Sequence, residues 1–84
     1  MVVESFHIDI MPELGRLGAN VKRLRLGSGF TQKQLSDRSS VATSIISKIE
    51  SGTGNPSILT VLMLAKALRV DVGTLLNEQR GTDE

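Results

Sequence analysis

Residues 43 to 48 read "TSIISK", and four of these six side chains carry hydrogen-bond donors. Ile46 and Ile49 stand three apart and mark the inward edge of a helix. Thr43, Ser44, Ser47 and Lys48 fall on the remaining surface. Hydroxyls and an ammonium on one helix have two uses: nucleophilic chemistry, or recognition through hydrogen bonds. Nucleophilic chemistry needs a base to activate a serine or threonine. The single histidine, His7, lies far off near the start of the chain, with no second ligand at metal spacing. The "GSG" of residues 27 to 29 lacks the lysine and the strand context of a phosphate loop, so it reads as a helix stop. No catalytic residue, metal site or cofactor is expected. The short polar face is left as a recognition surface.

Charge points to what would be recognised. Residues 16 to 50 carry seven lysines and arginines against two acids, a surplus of five, while the whole chain of 84 residues has a net charge of only +1. A basic centre flanked by acidic ends suits a polyanion. The chain has no cysteine and only two aromatic residues, Phe6 and Phe30. Its core must be aliphatic, and a reducing, cytoplasmic location fits. No apolar run approaches the length of about 18 residues that spans a bilayer, and no membrane partner is expected. The length allows one small domain.

Five helices would position these residues. Leu14, Leu17, Val21 and Leu24 form an apolar stripe. Pro12 can open that helix, but Gly15 and Gly18 weaken its first turns and move its expected start toward Arg16. Thr31 and Gln34 make a capping box for a second short helix, with Leu35 inward. After the turn "SSV", a third helix runs from about Ala42 to Ser51 and stops at Gly52. Ser57 caps a fourth, whose expected buried stripe is Ile58, Val61, Leu62, Ala65 and Leu68. Asp71 can cap a fifth bearing Val72, Leu75 and Leu76. The division is an N-terminal extension at 1–12, a helical domain at 13–77 and a polar tail at 78–84.

The run "FTQKQLSDRSSVATSIISKIESGTGNPSILTVLMLAKALRV" resembles the phage Cro and repressor type of helix-turn-helix protein, the XRE family. Many elements agree in order: Thr31-Gln32, Leu35, Ile46-Ser47, Ile49-Glu50, Gly52, the "NPS" of 55–57 and the "LAKAL" of 64–68. The resemblance implies an all-α, compact five-helix, lambda-repressor-like domain. Its third helix would enter the major groove of double-stranded DNA. It implies a sequence-specific transcriptional regulator, a repressor by expectation. The alternative is a protein-interaction module, such as an antitoxin or a regulator acting through a protein partner.

Carried over position by position, the resemblance makes Thr43, Ser44 and Lys48 base readers. Lys48 suits guanine O6 and N7, and Thr43 can offer its methyl to thymine. Gln32, at the start of the second helix, would hold a phosphate. Lys33, Ser47, Lys22, Arg23, Arg38 and Asn55 are weaker backbone contacts, which position the protein without specifying sequence. Arg25 and Glu50 match a structural ion pair of the family and are not expected to touch DNA. Ile45 is open between the DNA backbone and partial burial. Two positions depart from the pattern: Ser40 replaces the usual turn glycine, and Ala42 replaces the usual serine cap, a role Thr43 could assume.

A homodimer on a near-palindromic operator is expected. Leu59 and Met63 replace polar residues on the outside of the fourth helix, and Val72, Leu75 and Leu76 can extend the same apolar patch. In "SFHIDIM", residues 5 to 11, Phe6, Ile8 and Ile10 alternate with His7 and Asp9 as in a strand. Such a strand would pair with its copy across the dimer axis, unless the segment is a disordered arm or lies over the core.

Overall fold

The first helix starts earlier than its glycines suggest. The structure, a computed structural model, describes residues 9–77, and α1 spans Met11–Gly27. Asp9 supplies the reason: its Oδ1 accepts the Met11 N–H at 3.0 Å. Pro12 brings no N–H to satisfy, and Glu13 places an acid in the first turn, where the helix dipole favours it. The helix therefore begins two residues before position 13 and well before Arg16. The expected strand over residues 5–11 meets the same fact. Met11 is helical, and Ile10 has ψ 11, which is not extended backbone. Phe6 and Ile8 lie outside the described residues.

Four further helices follow: α2 Gln32–Ser39, α3 Thr43–Glu50, α4 Ile58–Leu68 and α5 Val72–Leu76. The core is aliphatic and takes residues from every helix. Leu17 and Val21 of α1 meet Leu35 of α2, Ile46 and Ile49 of α3, Val61, Leu64, Ala65 and Leu68 of α4, and Leu75 of α5. Val41, between α2 and α3, joins them. Each fully buried leucine or isoleucine stabilises the fold by roughly 1.5–3 kcal/mol relative to exposure.

Two expectations about the apolar residues are corrected. In α4, Ile58 and Leu62 are 65% and 44% exposed, while Leu64 is wholly buried. Nine of the eleven α4 residues are apolar, so a stripe at 3.6-residue spacing can be drawn on either face. The contacts with α2, α1 and α5 choose Val61, Leu64, Ala65 and Leu68. In α5, Leu75 is wholly buried and cannot belong to a surface patch on this chain. Its inward turn is fixed by α1, against which α5 packs.

Asn20 does that fixing. It is 2% exposed, and its Nδ2 donates to the carbonyl oxygens of Leu75 and Asn77, both at 2.8 Å. These carbonyls end a helix and lack intrahelical partners, so one buried amide satisfies two of them. At the other end of α5 the expected side-chain cap is missing. Asp71 precedes the helix, yet its carboxylate makes no capping bond.

Candidate nucleic-acid interface

The exposed hydroxyls and ammonium of α3 are placed by the segment on each side of it. Thr31 and Gln34 form the expected box: Thr31 Oγ1 accepts the Gln34 N–H at 3.0 Å and Gln34 Oε1 accepts the Thr31 N–H at 2.9 Å. The turn after α2 passes through Ser40 in the left-handed conformation, φ 65 and ψ 19. A non-glycine residue there costs roughly 1 kcal/mol. Ser39 Oγ then accepts the Val41 N–H at 3.1 Å, which turns Val41 into the core and aims the chain at α3.

α3 begins without a side-chain cap, because Ala42 stands at that position. Thr43 does not replace it; it is the first helical residue. Its side chain is half-buried, whereas Ser44, Ser47 and Lys48 are exposed. Ile46 and Ile49 are buried as expected. The sequence left Ile45 open, and it is 43% exposed. The far end of α3 is closed by a turn around one carbonyl. Lys48 O accepts from Ser51 Oγ at 2.9 Å and from the amides of Thr53 and Gly54 at 3.0 Å. Gly52 permits the turn with φ 80, and Asn55 follows on the same side as Lys48, bordering the same surface depression.

The orientation of α3 against α1 rests on two devices. Gly18 of α1 has no side chain because the two backbones meet there. A Cβ would collide with the Ile49 carbonyl oxygen and come within 3.1 Å of that of Glu50. The second device is the Arg25–Glu50 pair. Arg25 Nε donates to Glu50 Oε2 at 2.7 Å and Nη2 to Oε1 at 3.0 Å, a two-pronged contact. Arg25 Nη1 also donates to the Phe30 carbonyl at 2.9 Å. The side chains are only 10% and 5% exposed. Hydrogen bonding to Glu50 holds the Arg25 guanidinium further above its already high ordinary value, against the opposing effect of burial.

Gln32 joins this group. Its Nε2 donates to Glu50 Oε1 at 3.1 Å, so the amide is tied to the ion pair and only half-buried. The remaining amide N–H and the carbonyl oxygen are left for a ligand at the α2 N-terminus. Glu50 thus links the ends of α1 and α3 to the residue expected to hold a phosphate.

The other basic candidates are distributed unevenly. Lys33 is exposed and paired with Asp37 at 3.2 Å, a surface pair of the kind worth at most about 0.5 kcal/mol and easily released. Arg38 lies over the Phe30 ring, 4.5 Å from its centre. Arg23 donates to Asn20 Oδ1 at 3.3 Å, which ties it to the side of α1 that holds α5. Lys22 is exposed on α1. Among the described residues Lys48 has no salt-bridge partner, and no group of three His, Asp or Glu could hold a metal ion. Nor is any described helix long and apolar enough to cross a membrane. Sequence reasoning missed Asn20 and Gly18. The signal for Asn20 was available: it falls within the inward stripe, between Leu17 and Val21.

Residues 21–75 match the helix-turn-helix family model HTH_3. The chain belongs to this family, the Cro and repressor (XRE) type. An HTH-type transcriptional regulator of Sinorhizobium fredii is 39% identical over 54 residues, covering 64% of this chain and 70% of its own. The HTH-type transcriptional regulator SinR of Bacillus licheniformis is 35% identical over 68 residues, covering 80% of this chain. The match spans 61% of that SinR. Among solved structures, the restriction-modification controller protein C.AhdI of Aeromonas hydrophila superposes with a TM-score of 0.73 at 30% identity. It covers 76% of this chain and 97% of C.AhdI. SinR in complex with DNA superposes with a TM-score of 0.70 at 34% identity, over 73% of this chain and 98% of that one. Both curated relatives are transcriptional regulators.

Proposed function

We propose that this helix-turn-helix protein is a sequence-specific regulator of transcription, a repressor, that reads the major groove of double-stranded DNA with α3. The observation that carries the reading is the outer face of α3. Ser44, Ser47 and Lys48 are exposed there, on a helix held by a buried two-pronged ion pair. Short hydroxylated side chains let a helix approach base edges closely, and the single ammonium suits guanine O6 and N7. Thr43, half-buried at the start of α3, offers a methyl or hydroxyl at the edge of the same surface. Gln32, Lys33, Asn55 and Ser47 border it as backbone contacts. Lys22, Arg23 and Arg38 are less favoured, since the last two are engaged elsewhere. That SinR was solved with DNA supports the reading.

The regulator acts as a homodimer on a near-palindromic operator. Support comes from Ile58, Leu59 and Leu62, which share the outer face of α4 at 65%, 63% and 44% exposure. Met63 and Val72 are half-buried at the margin of the core, and Leu76 is 45% exposed. Two-fold symmetry would set two α3 helices about 34 Å apart, on successive major grooves. Selection of bound sequences from random duplex DNA tests the whole proposal. It should return two inverted half-sites about one helical turn apart. Recovery of no preferred sequence would refute it.

A second reading has its own support. The same apolar face of α4 suits a regulatory protein, and SinR was also solved as a complex with the SinI protein. Under that reading, a partner seated on this face competes with self-association of the chain and weakens duplex binding by removing the dimer.

A further inference from the structure

Ile45 is the one large apolar side chain on the exposed side of α3, at 43% exposure. It stands next to Ser44 and three residues before Lys48, so it lies within one helical turn of both. A shallow depression of about 280 Å³ opens beside it, bordered by Lys48, Asn55, Pro56 and Thr60. Ile45 lies outside the buried core, whose α3 edge is formed by Ile46 and Ile49. An apolar branched side chain between hydrogen-bonding neighbours matches one feature of the major groove. The C5-methyl of thymine is the only apolar group that a base pair presents there.

We propose that Ile45 is a specificity-determining residue that selects a thymine by packing against its C5-methyl. The proposal rests on α3 being the base-reading helix. It fixes a pairing of positions as well. Because Ile45 and Lys48 are neighbours on one helix face, the selected thymine lies within a base pair or two of the position read by Lys48. A phosphate contact does not suit this residue, since isoleucine has no donor and its burial against a charged oxygen would cost free energy.

The test replaces that thymine by deoxyuridine, which keeps every hydrogen-bonding group and removes only the methyl. The starting duplex is the one obtained by selection with the unaltered protein. One such replacement in one half-site should weaken binding about fourfold, the worth of one buried methyl. Ile45→Ala, an exposed position, should stay folded by circular dichroism and bind thymine and deoxyuridine duplexes equally. Ile45→Val should retain part of the discrimination. The inference is overturned if the unaltered protein ignores the methyl, or if Ile45→Ala loses the same factor on deoxyuridine. Failure to select any duplex would overturn the functional reading and this inference together, whereas a well-defined site indifferent to every thymine methyl would overturn this inference alone.

Discussion

Replacing Glu50 by alanine removes the acceptor of three hydrogen bonds at once: two from Arg25 at 2.7 and 3.0 Å and one from Gln32 at 3.1 Å. Arg25, 8% exposed, keeps its charge and only one contact, to the Phe30 carbonyl. Removing one member of a buried pair costs about 3–5 kcal/mol, because the other charge stays desolvated. In so small a domain water reaches the site after slight movement, so the lower end, about 3 kcal/mol, applies. At roughly 4–8 °C per kcal/mol for a domain of this size, the melting temperature should fall by about 12–24 °C. Arg25→Ala should cost a similar amount, because it leaves the buried Glu50 carboxylate with a single donor, the Gln32 amide. The double variant should cost clearly less than the sum, with a coupling of at least about 1 kcal/mol. The pH dependence has a definite sign. The raised Arg25 value means its contribution is fully present at neutral pH and is lost only as pH rises through the strongly alkaline range. Calorimetry of the two single variants and the double variant measures the cycle. Additive losses would refute the reasoning, since they would mean the two side chains do not depend on each other.

Further outcomes follow from the backbone and the surface. Ser40→Gly relieves a left-handed φ of 65 and should raise stability by roughly 0.5–1 kcal/mol, read as a higher melting temperature with duplex binding unchanged. Gly18→Ala would gain helix propensity elsewhere, but here its methyl meets the Ile49 carbonyl; a net loss of about 1–3 kcal/mol is expected, and a stabilised variant would contradict the close approach of α1 and α3. Leu59→Glu with Leu62→Lys alters two exposed residues on the outer face of α4. It should leave the fold intact, give a monomer by sedimentation and weaken operator binding; an unchanged dimer would move the interface elsewhere.

The parts of the fold legible in the sequence were those with a local cause. The Thr31–Gln34 box, the Ser57 cap and the Gly52 stop each depend on a few neighbouring residues, and each occurs where the chemistry required it. The Arg25–Glu50 pair, 25 residues apart, was legible only through the family resemblance. Other features depend on which elements meet. Residues Leu62 and Leu64 are chemically alike and two apart, and only the packing of α4 decides which is buried. Leu75 and Leu76 were separated in the same way by α1. Asn20 is polar on an apolar stripe, and its purpose appears only when the end of α5 arrives above it. The start of α1 lies before the point that Gly15 and Gly18 suggest, because helix propensity does not register the bond from the Met11 N–H to Asp9. On the recognition face, exposure was legible for Ser44, Ser47 and Lys48, while that of Ile45 needed the loop at 54–56 beside it.

The most direct test of the central claim, that α3 reads base sequence, is the affinity ratio between the selected duplex and a random one, measured for the unaltered protein and for Lys48→Ala at one fixed salt concentration. Lys48 is exposed on α3, so its removal should leave the fold and the weak binding to random duplex nearly intact. The ratio should fall by about 1–3 kcal/mol, with preference relaxed at one base position in each half-site. If Lys48→Ala keeps the same preferred site and the same ratio, α3 is not the reading helix and the account is wrong.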